Sequence, residues 1–197
     1  MTDKSRKIFE ELIFTNARTH NEWLDRDVPD KILHKLYDLM KWGPTSANCS
    51  PSRLIFIKSQ DAKNRLLPYL METNREKTST APVSAIVAYD ISFYEHLPKL
   101  FPHNPEAKDW FSWSNDLAEQ TAFRNSSLQG AYFIIAARTL GLDCGPMSGF
   151  DNMELDKEFF STSGFKSNFI CNIGYGDHRK LLERSPRFEF DEICTIL

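Results

Sequence analysis

An α+β fold with a central, mostly antiparallel sheet is the architecture this 197-residue sequence predicts, and three observations carry it. Two helical apolar patterns open the chain, one through Ile8, Phe9, Leu12 and Ile13, the other through Ile32, Leu33, Leu36, Leu39 and Met40. A single long helical pattern dominates the second half. The short apolar runs that read as strands fall between helices without the regular strand–helix alternation of a doubly wound sheet. No G-x-G-x-x-G follows a strand, and neither a phosphate-loop motif nor a G-x-S-x-G elbow is present.

The elements follow in chain order. The first helix is expected over Ser5–Phe14, and the polar stretch to Arg26 leads to a second beginning near Pro29, a residue suited to a first turn. That helix runs to Trp42, where Gly43 is expected to take a left-handed cap and Pro44 to stop the ladder. Leu54–Ile57 is continuously apolar and reads as a strand buried on both faces. Gln60–Leu70 reads as helical, with Pro68 expected to end or bend it early. Ala81–Tyr89 is the second strand, with Pro82 at its start. Residues 90–114 form an excursion broken by Pro98, Pro102 and Pro105 and filled with aromatics. It reads either as a lid or dimer arm or as a satellite cluster on its own domain.

Ser114 or Asn115 caps a helix reaching about Leu140, with Gly141 as terminator. At 1.5 Å per residue its roughly 25 residues span about 37 Å. Its second half is apolar almost all round, so it is buried at the centre of the fold or against another chain. Ser126, Ser127, Gly130 and Ala131 would let a second helix approach closely, and an obligate homodimer is expected. Asp143–Phe150 is an unusual glycine- and proline-containing loop. Asp151 caps a short helix through Phe160, with Glu154 as a capping-box partner. Asn168–Gly176 is a strand ending in a glycine turn, and the tail carries Arg179, Lys180, Arg184 and Arg187. The length predicts one domain, 1–197.

Composition excludes several function classes. Net charge is −3, so no basic face for nucleic acid is announced. No run approaches the ~18 apolar residues of a membrane span, and Met1–Ser5 is polar, unlike a signal peptide, so a cytoplasmic location is expected. Cys49, Cys144, Cys171 and Cys194 form no C-x-x-C pair, and the histidines show no metal-ligand spacing, so no metal is predicted. Cys49 and Cys144 read as small fillers or as redox thiols.

The stretch Trp42–Pro51 offers more hydroxyl and amide groups than a turn requires. Thr45, Ser46, Asn48 and Ser50 read as a cradle for a phosphorylated or polyhydroxylated ligand, or as an ordinary capped turn.

Three separated pieces then line up: Arg18-Thr19-His20, the run Gly43–Pro51, and Gly145-Pro146-Met147-Ser148-Gly149, with a basic tail after Ile173-Gly174-Tyr175. Their order and spacing resemble the nitroreductase family of FMN-dependent oxidoreductases over essentially the whole chain. The runs Trp42–Asn48, Ala122–Ala131 and Gly145–Phe150 are similar to the branch that holds the malonic semialdehyde reductases of pyrimidine utilisation. The resemblance implies an α+β homodimer with FMN at the subunit interface. It places Arg18 at the phosphate, with Thr19 and His20 beside it and Arg184 and Arg187 completing the clamp from the tail. Ser46 and Asn48 would face the ribityl chain or the pyrimidine edge. Pro146, Met147, Ser148 and Gly149 would lie along the ring, with a backbone N–H aimed at flavin N5.

It further implies ping-pong hydride transfer from NADPH or NADH through the flavin to a small-molecule aldehyde, with malonic semialdehyde giving 3-hydroxypropionate. A nitroaromatic or quinone reductase on the same site, or a flavin-binding protein without turnover, are the rivals. Arg53 and Arg124 are candidate cations for a substrate carboxylate. Two departures from the family pattern stand out: Ser50 where many members carry Gln, and Ser148 where many carry Glu, which alters the charge beside N5.

Overall fold

The computed structural model describes residues 2–197. Helix α1 (Asp3–Glu10) is capped by Thr2 and continues as a π-helical turn to Thr15. It buries none of its residues, and Ile8 and Phe9 are about half exposed. Helix α2 (Asp30–Met40) follows Pro29 and buries Leu33, Leu36 and Met40. Gly43 does not take the left-handed conformation expected of it; the positive-φ glycines are Gly141 and Gly164. It is needed for a close approach instead, since a Cβ there would lie 2.7 Å from the Tyr132 ring.

Strand β1 (Ser52–Ile57), helix α3 (Gln60–Leu66), helix α4 (Glu72–Thr80) and strand β2 (Val83–Tyr89) come next. Helix α4 has no apolar stripe to announce it. A buried polar node holds it instead: Ser84 Oγ donates to Asn172 Oδ1 at 2.6 Å, and Asn172 Nδ2 donates to Thr78 Oγ1 at 3.1 Å and to the Lys77 carbonyl at 3.2 Å. The buried Lys63 ammonium donates to the Ser79 and Ala81 carbonyls at the C-terminal end of α4, where a cation complements the helix dipole.

The excursion folds as short turns, including α5 (Leu97–Leu100) and α6 (Asp109–Ser112). Phe93, Leu97 and Phe111 cluster there with Cys49, Ala118 and Ala122, while Trp110 and Trp113 stay exposed. Helix α7 (Asn115–Thr139) has the expected length and caps: Ser114 Oγ accepts from the Leu117 amide, and Gly141 adopts φ +75°. Its small residues divide in two. Ser126 and Gly130 face the sheet of their own chain, Ser126 donating to the Ala88 carbonyl and Gly130 meeting the Phe169 ring, whereas Ser127 and Ala131 face outward.

Strand β3 (Asp143–Met147), helix α8 (Asn152–Phe160), strand β4 (Lys166–Gly174) and the short helix α9 (Phe190–Ile193) complete the chain. Asp151 caps α8 as expected. The four strands form one antiparallel sheet in the order β1-β2-β4-β3. Two expectations are corrected here. The first five residues of the Asp143–Phe150 loop are a strand, tolerated despite Pro146 because it lies at the sheet edge. The strand expected to be buried on both faces, β1, is the opposite edge and is only half buried along most of its length.

The sheet has helices on both faces. Helices α2 and α7 cover a core of Val83, Ala85, Phe133, Cys171 and Ile173; α3 and α8 cover one of Ile86, Leu66, Leu155 and Ile170. Among the described residues no helix is long and apolar enough to cross a membrane.

Candidate active site

The segment from Arg18 to Trp23 lies across the open end of β3 and β4. The His20 amide donates to the Cys144 carbonyl at 3.0 Å, the Leu24 amide to the Tyr175 carbonyl at 2.8 Å, and the Trp23 indole to the Lys77 carbonyl at 3.0 Å. Thr19 forms a parallel bridge with Cys144, so the first sequence-predicted triplet sits at the start of β3. The residues Pro146–Gly149 sit at its other end. From Cys144 to Met147 the strand advances about 10 Å, at about 3.3 Å per residue.

At the Arg18 end the tail folds back. The Arg18 guanidinium donates to the Leu182 carbonyl, and Arg184 donates to the Thr15 and Ala17 carbonyls at 2.7 and 3.1 Å. Together they line a cleft of about 610 Å³ into which Arg138 and Arg187 also project. Four arginines thus line one cleft with a single acid, Glu183; Arg138 also donates to the Ile13 carbonyl at 3.0 Å, and Arg187 to the Ser185 and Pro186 carbonyls at 3.0 and 2.9 Å. Sequence reasoning placed Arg18, Arg184 and Arg187 together but missed Arg138. A basic residue in the last turn of a helix is accounted for by the helix dipole alone and raises no flag.

A second cleft, of about 440 Å³, shares Asn21 with the first and runs between Glu22 and Trp23 on one side and the α4 residues Thr73, Glu76, Lys77 and Thr80 on the other. The half-buried Lys77 ammonium has its pKa pushed below the usual lysine range by loss of solvent. One turn away on α4, Asn74 is buried and its Nδ2 donates to the Gly149 carbonyl at 2.8 Å, fixing the loop after β3. A Cβ on Gly149 would meet that amide at 2.6 Å, so the close approach Gly149 permits is first of all to Asn74. Met147 turns its side chain into the core, where Thr78 Oγ1 lies 3.8 Å from its sulfur, while Ser148 is exposed. Met147 therefore presents only its backbone to a ligand.

His20 is buried beneath this groove. Its Nε2 lies 3.4 Å from Asp143 Oδ1 without a hydrogen-bond partner among the described residues, and His178 approaches the other carboxylate oxygen at 3.9 Å. Desolvation lowers the His20 pKa, against the pull of the Asp143 carboxylate, so the ring stays neutral near pH 7. The fold thus brings two imidazoles and a carboxylate within 4.8 Å, which the histidine spacing in the sequence did not suggest.

Ser46 and Asn48 lie elsewhere. Residues Ser46–Asn48 form a 3₁₀ turn, and Ala47, Asn48 and Ser50 all have positive φ, of 49°, 50° and 39°. Such a backbone costs about 1–2 kcal/mol per non-glycine residue. It is held by the Ser46 amide on Asn125 Oδ1 at 2.8 Å, by the Ser50 amide on Thr45 Oγ1 at 3.1 Å, and by Asn48 Nδ2 on the Leu100 carbonyl at 2.7 Å. Thr45 is thereby spent on the turn itself, while Ser46 and Asn48 are exposed. Beneath them burial pushes the Cys49 thiol up to about 11, so it is a filler and not a reactive thiol. No residue of this turn lines the arginine cleft or the Lys77 cleft.

Four arginines on one cleft suit a dianionic group, and the adjoining groove offers the Asn21 amide and the Lys77 ammonium beside the Glu22 and Glu76 carboxylates. Comparison with known proteins bears on the family. A model of the Nitroreductase family matches residues 15–175. A Bacillus subtilis protein described as a nitroreductase superposes with a TM-score of 0.86 at 18% identity, covering 98% of this chain and 100% of the other. A Staphylococcus epidermidis protein described as an NAD(P)H:FMN oxidoreductase gives 0.84 at 18%, covering 96% and 95%. An Exiguobacterium sibiricum protein, described as a nitroreductase in complex with FMN, gives 0.86 at 16%, covering 100% and 98%. With residues 15–175 matched by that family model and the fold shared with these structures, the chain belongs to the nitroreductase family.

Proposed function

We propose that two copies of this chain form one FMN-dependent NAD(P)H oxidoreductase that reduces malonic semialdehyde to 3-hydroxypropionate. The observation that carries the reading is the division of the site. One chain holds the arginine cleft and the β3 end on one side, and the strained Ser46–Asn48 turn apart from them. A second copy brings such a turn to the groove. The surface supports pairing: α1 carries an apolar stripe with nothing buried, and Phe123, Leu128 and Tyr132 of α7 are 49%, 47% and 38% exposed.

FMN bound in the groove supplies two-electron transfer between a nicotinamide, NADPH or NADH, and the acceptor. The chain's own residues bind and orient. Arg18, Arg138, Arg184 and Arg187 match the phosphate charge, with Thr19 alongside and His20 supporting the segment from below. Ser46 and Asn48 of the second copy meet the ribityl or pyrimidine edge. Pro146, Met147, Ser148 and Gly149 offer backbone and one hydroxyl along the ring, held in place by Asn74. The choice of substrate rests on the resemblance of the runs Trp42–Asn48, Ala122–Ala131 and Gly145–Phe150 to the malonic semialdehyde reductases of pyrimidine utilisation.

The purified protein is expected to be yellow, to bleach with NADPH or NADH, and to turn over malonic semialdehyde with a higher kcat/KM than a nitroaromatic or a quinone. A reversed order makes it a general nitro or quinone reductase. Bound flavin that no nicotinamide bleaches makes it a binding protein. Protein that neither carries FMN nor takes it up overturns the reading.

A further inference from the structure

We infer that Arg124 receives the carboxylate of the substrate, supplied to each active site by the second copy of the chain. This rests on the reading above, in which the substrate is a three-carbon aldehyde bearing a carboxylate at its far end. A carboxylate is gripped by two parallel hydrogen bonds only from a guanidinium, so such a substrate calls for an arginine that no other group has claimed. Arg53 is not available: it donates to Asp90 at 2.7 Å and to the Ser50 and Ser52 carbonyls at 3.2 and 3.0 Å. Arg18, Arg138, Arg184 and Arg187 belong to the phosphate cleft. Arg26 lies over the Tyr175 ring at 3.7 Å, Arg65 is paired with Glu158, and Arg179 with Asp177.

Arg124 alone among the arginines of the described residues has no hydrogen bond, ion pair or aromatic face. The nearest acid on its helix, Glu119, is engaged by Lys166 and by the Tyr89 hydroxyl. Its position completes the argument. The next residue, Asn125, accepts the Ser46 amide, so Arg124 leaves α7 beside the turn that the dimer brings to the flavin. It stands exposed on the outward stripe of α7 with Phe123, Ser127 and Leu128, the stripe assigned above to pairing with a second copy. A guanidinium grips a carboxylate with two parallel N–H···O bonds and stays charged at any pH the enzyme works at. Holding the far end of the substrate fixes the aldehyde carbon, which turns binding energy into orientation at the reacting centre.

The test uses purified FMN-loaded protein. Calorimetric titration with 3-hydroxypropionate is expected to show about 30-fold weaker binding in Arg124→Gln and only a few-fold loss in Arg124→Lys, in line with a charge-assisted contact. The ratio of kcat/KM for malonic semialdehyde over propanal is expected to fall by a similar factor in Arg124→Gln, chiefly through KM. Unchanged affinity for 3-hydroxypropionate in Arg124→Gln, or equal losses with both aldehydes, overturns the assignment of Arg124 while leaving the proposed reaction standing. Wild-type protein that reduces quinones but neither binds 3-hydroxypropionate nor reduces malonic semialdehyde overturns the substrate reading, and this inference with it.

Discussion

Replacing Gly130 by alanine sets two opposed effects against each other, and the sheet decides which prevails. Gly130 sits in the middle of α7, where alanine is worth about 0.8–1.0 kcal/mol in helix propensity. Its ideal Cβ, however, lies 2.4 Å from Phe169 Cε1 and 2.6 Å from Cζ, against the ~3.5–4.0 Å of a comfortable carbon contact. The ring on β4 or the helix must give by about 1 Å, and overpacking of this kind costs about 1–3 kcal/mol. Gly130→Ala is therefore expected to destabilise by about 1 kcal/mol net. Phe169→Leu removes the far ring atoms and, alone, costs about 1 kcal/mol, since Phe169 is only partly buried. In the Phe169→Leu background the clash is gone and the alanine stabilises. The coupling between the two changes is expected to be about 1–3 kcal/mol in the rescuing direction. Urea midpoints for the four proteins, at one protein concentration and one FMN concentration, give the cycle directly, provided the m-values agree. A coupling below about 0.5 kcal/mol, with alanine acting alike in both backgrounds, would refute the claim that Gly130 is there for Phe169.

Three further expectations follow from the site. Arg18→Ala and Arg138→Gln should each weaken FMN binding about 10- to 100-fold, because each leaves phosphate charge unmatched; flavin titration reads this, and unchanged affinity in either variant removes that residue from the clamp. The buried His20 has its pKa lowered in the folded state, so below about pH 6.5 the unfolded chain holds the extra proton and stability falls as pH falls. His20→Gln should flatten that part of a thermal-midpoint profile, and identical slopes in the two proteins would count against it. Cys49, with its thiol pushed up to about 11, should resist iodoacetamide at about pH 8 while the exposed Cys194 reacts; peptide mapping that finds the two labelled equally contradicts the burial argument.

How legible an element was depended on whether its cause was local. Helix α7 could be read to within a residue or two, because Ser114 and Gly141 satisfy its ends and the apolar run between them has no competing period. Strands β2 and β4 announced themselves as apolar runs. Helix α4 did not, since what it buries is Asn74 and Thr78, and polar residues leave no hydrophobic periodicity. Strand β3 was hidden by Gly145 and Pro146, which deny it strand propensity; its five-residue register with β4 makes it a strand. Gly43 shows the same limit, for its small size answers to Tyr132, far along the chain on α7.

The sequence by itself determined the elements whose causes are local, α7, β2 and β4 among them, and which chemical groups are on offer: the arginines, the hydroxyl- and amide-rich turn, and the loop after the long helix. Only the tertiary structure decided which of them meet. It joined Arg138 to Arg18 and the tail, withdrew Arg53 into an ion pair with Asp90, turned Met147 into the core and left Arg124 unclaimed. The physical reason is that caps and periodicity are settled by neighbours along the chain. The neighbours of a charge are chosen by packing, which brings together residues from opposite ends of it.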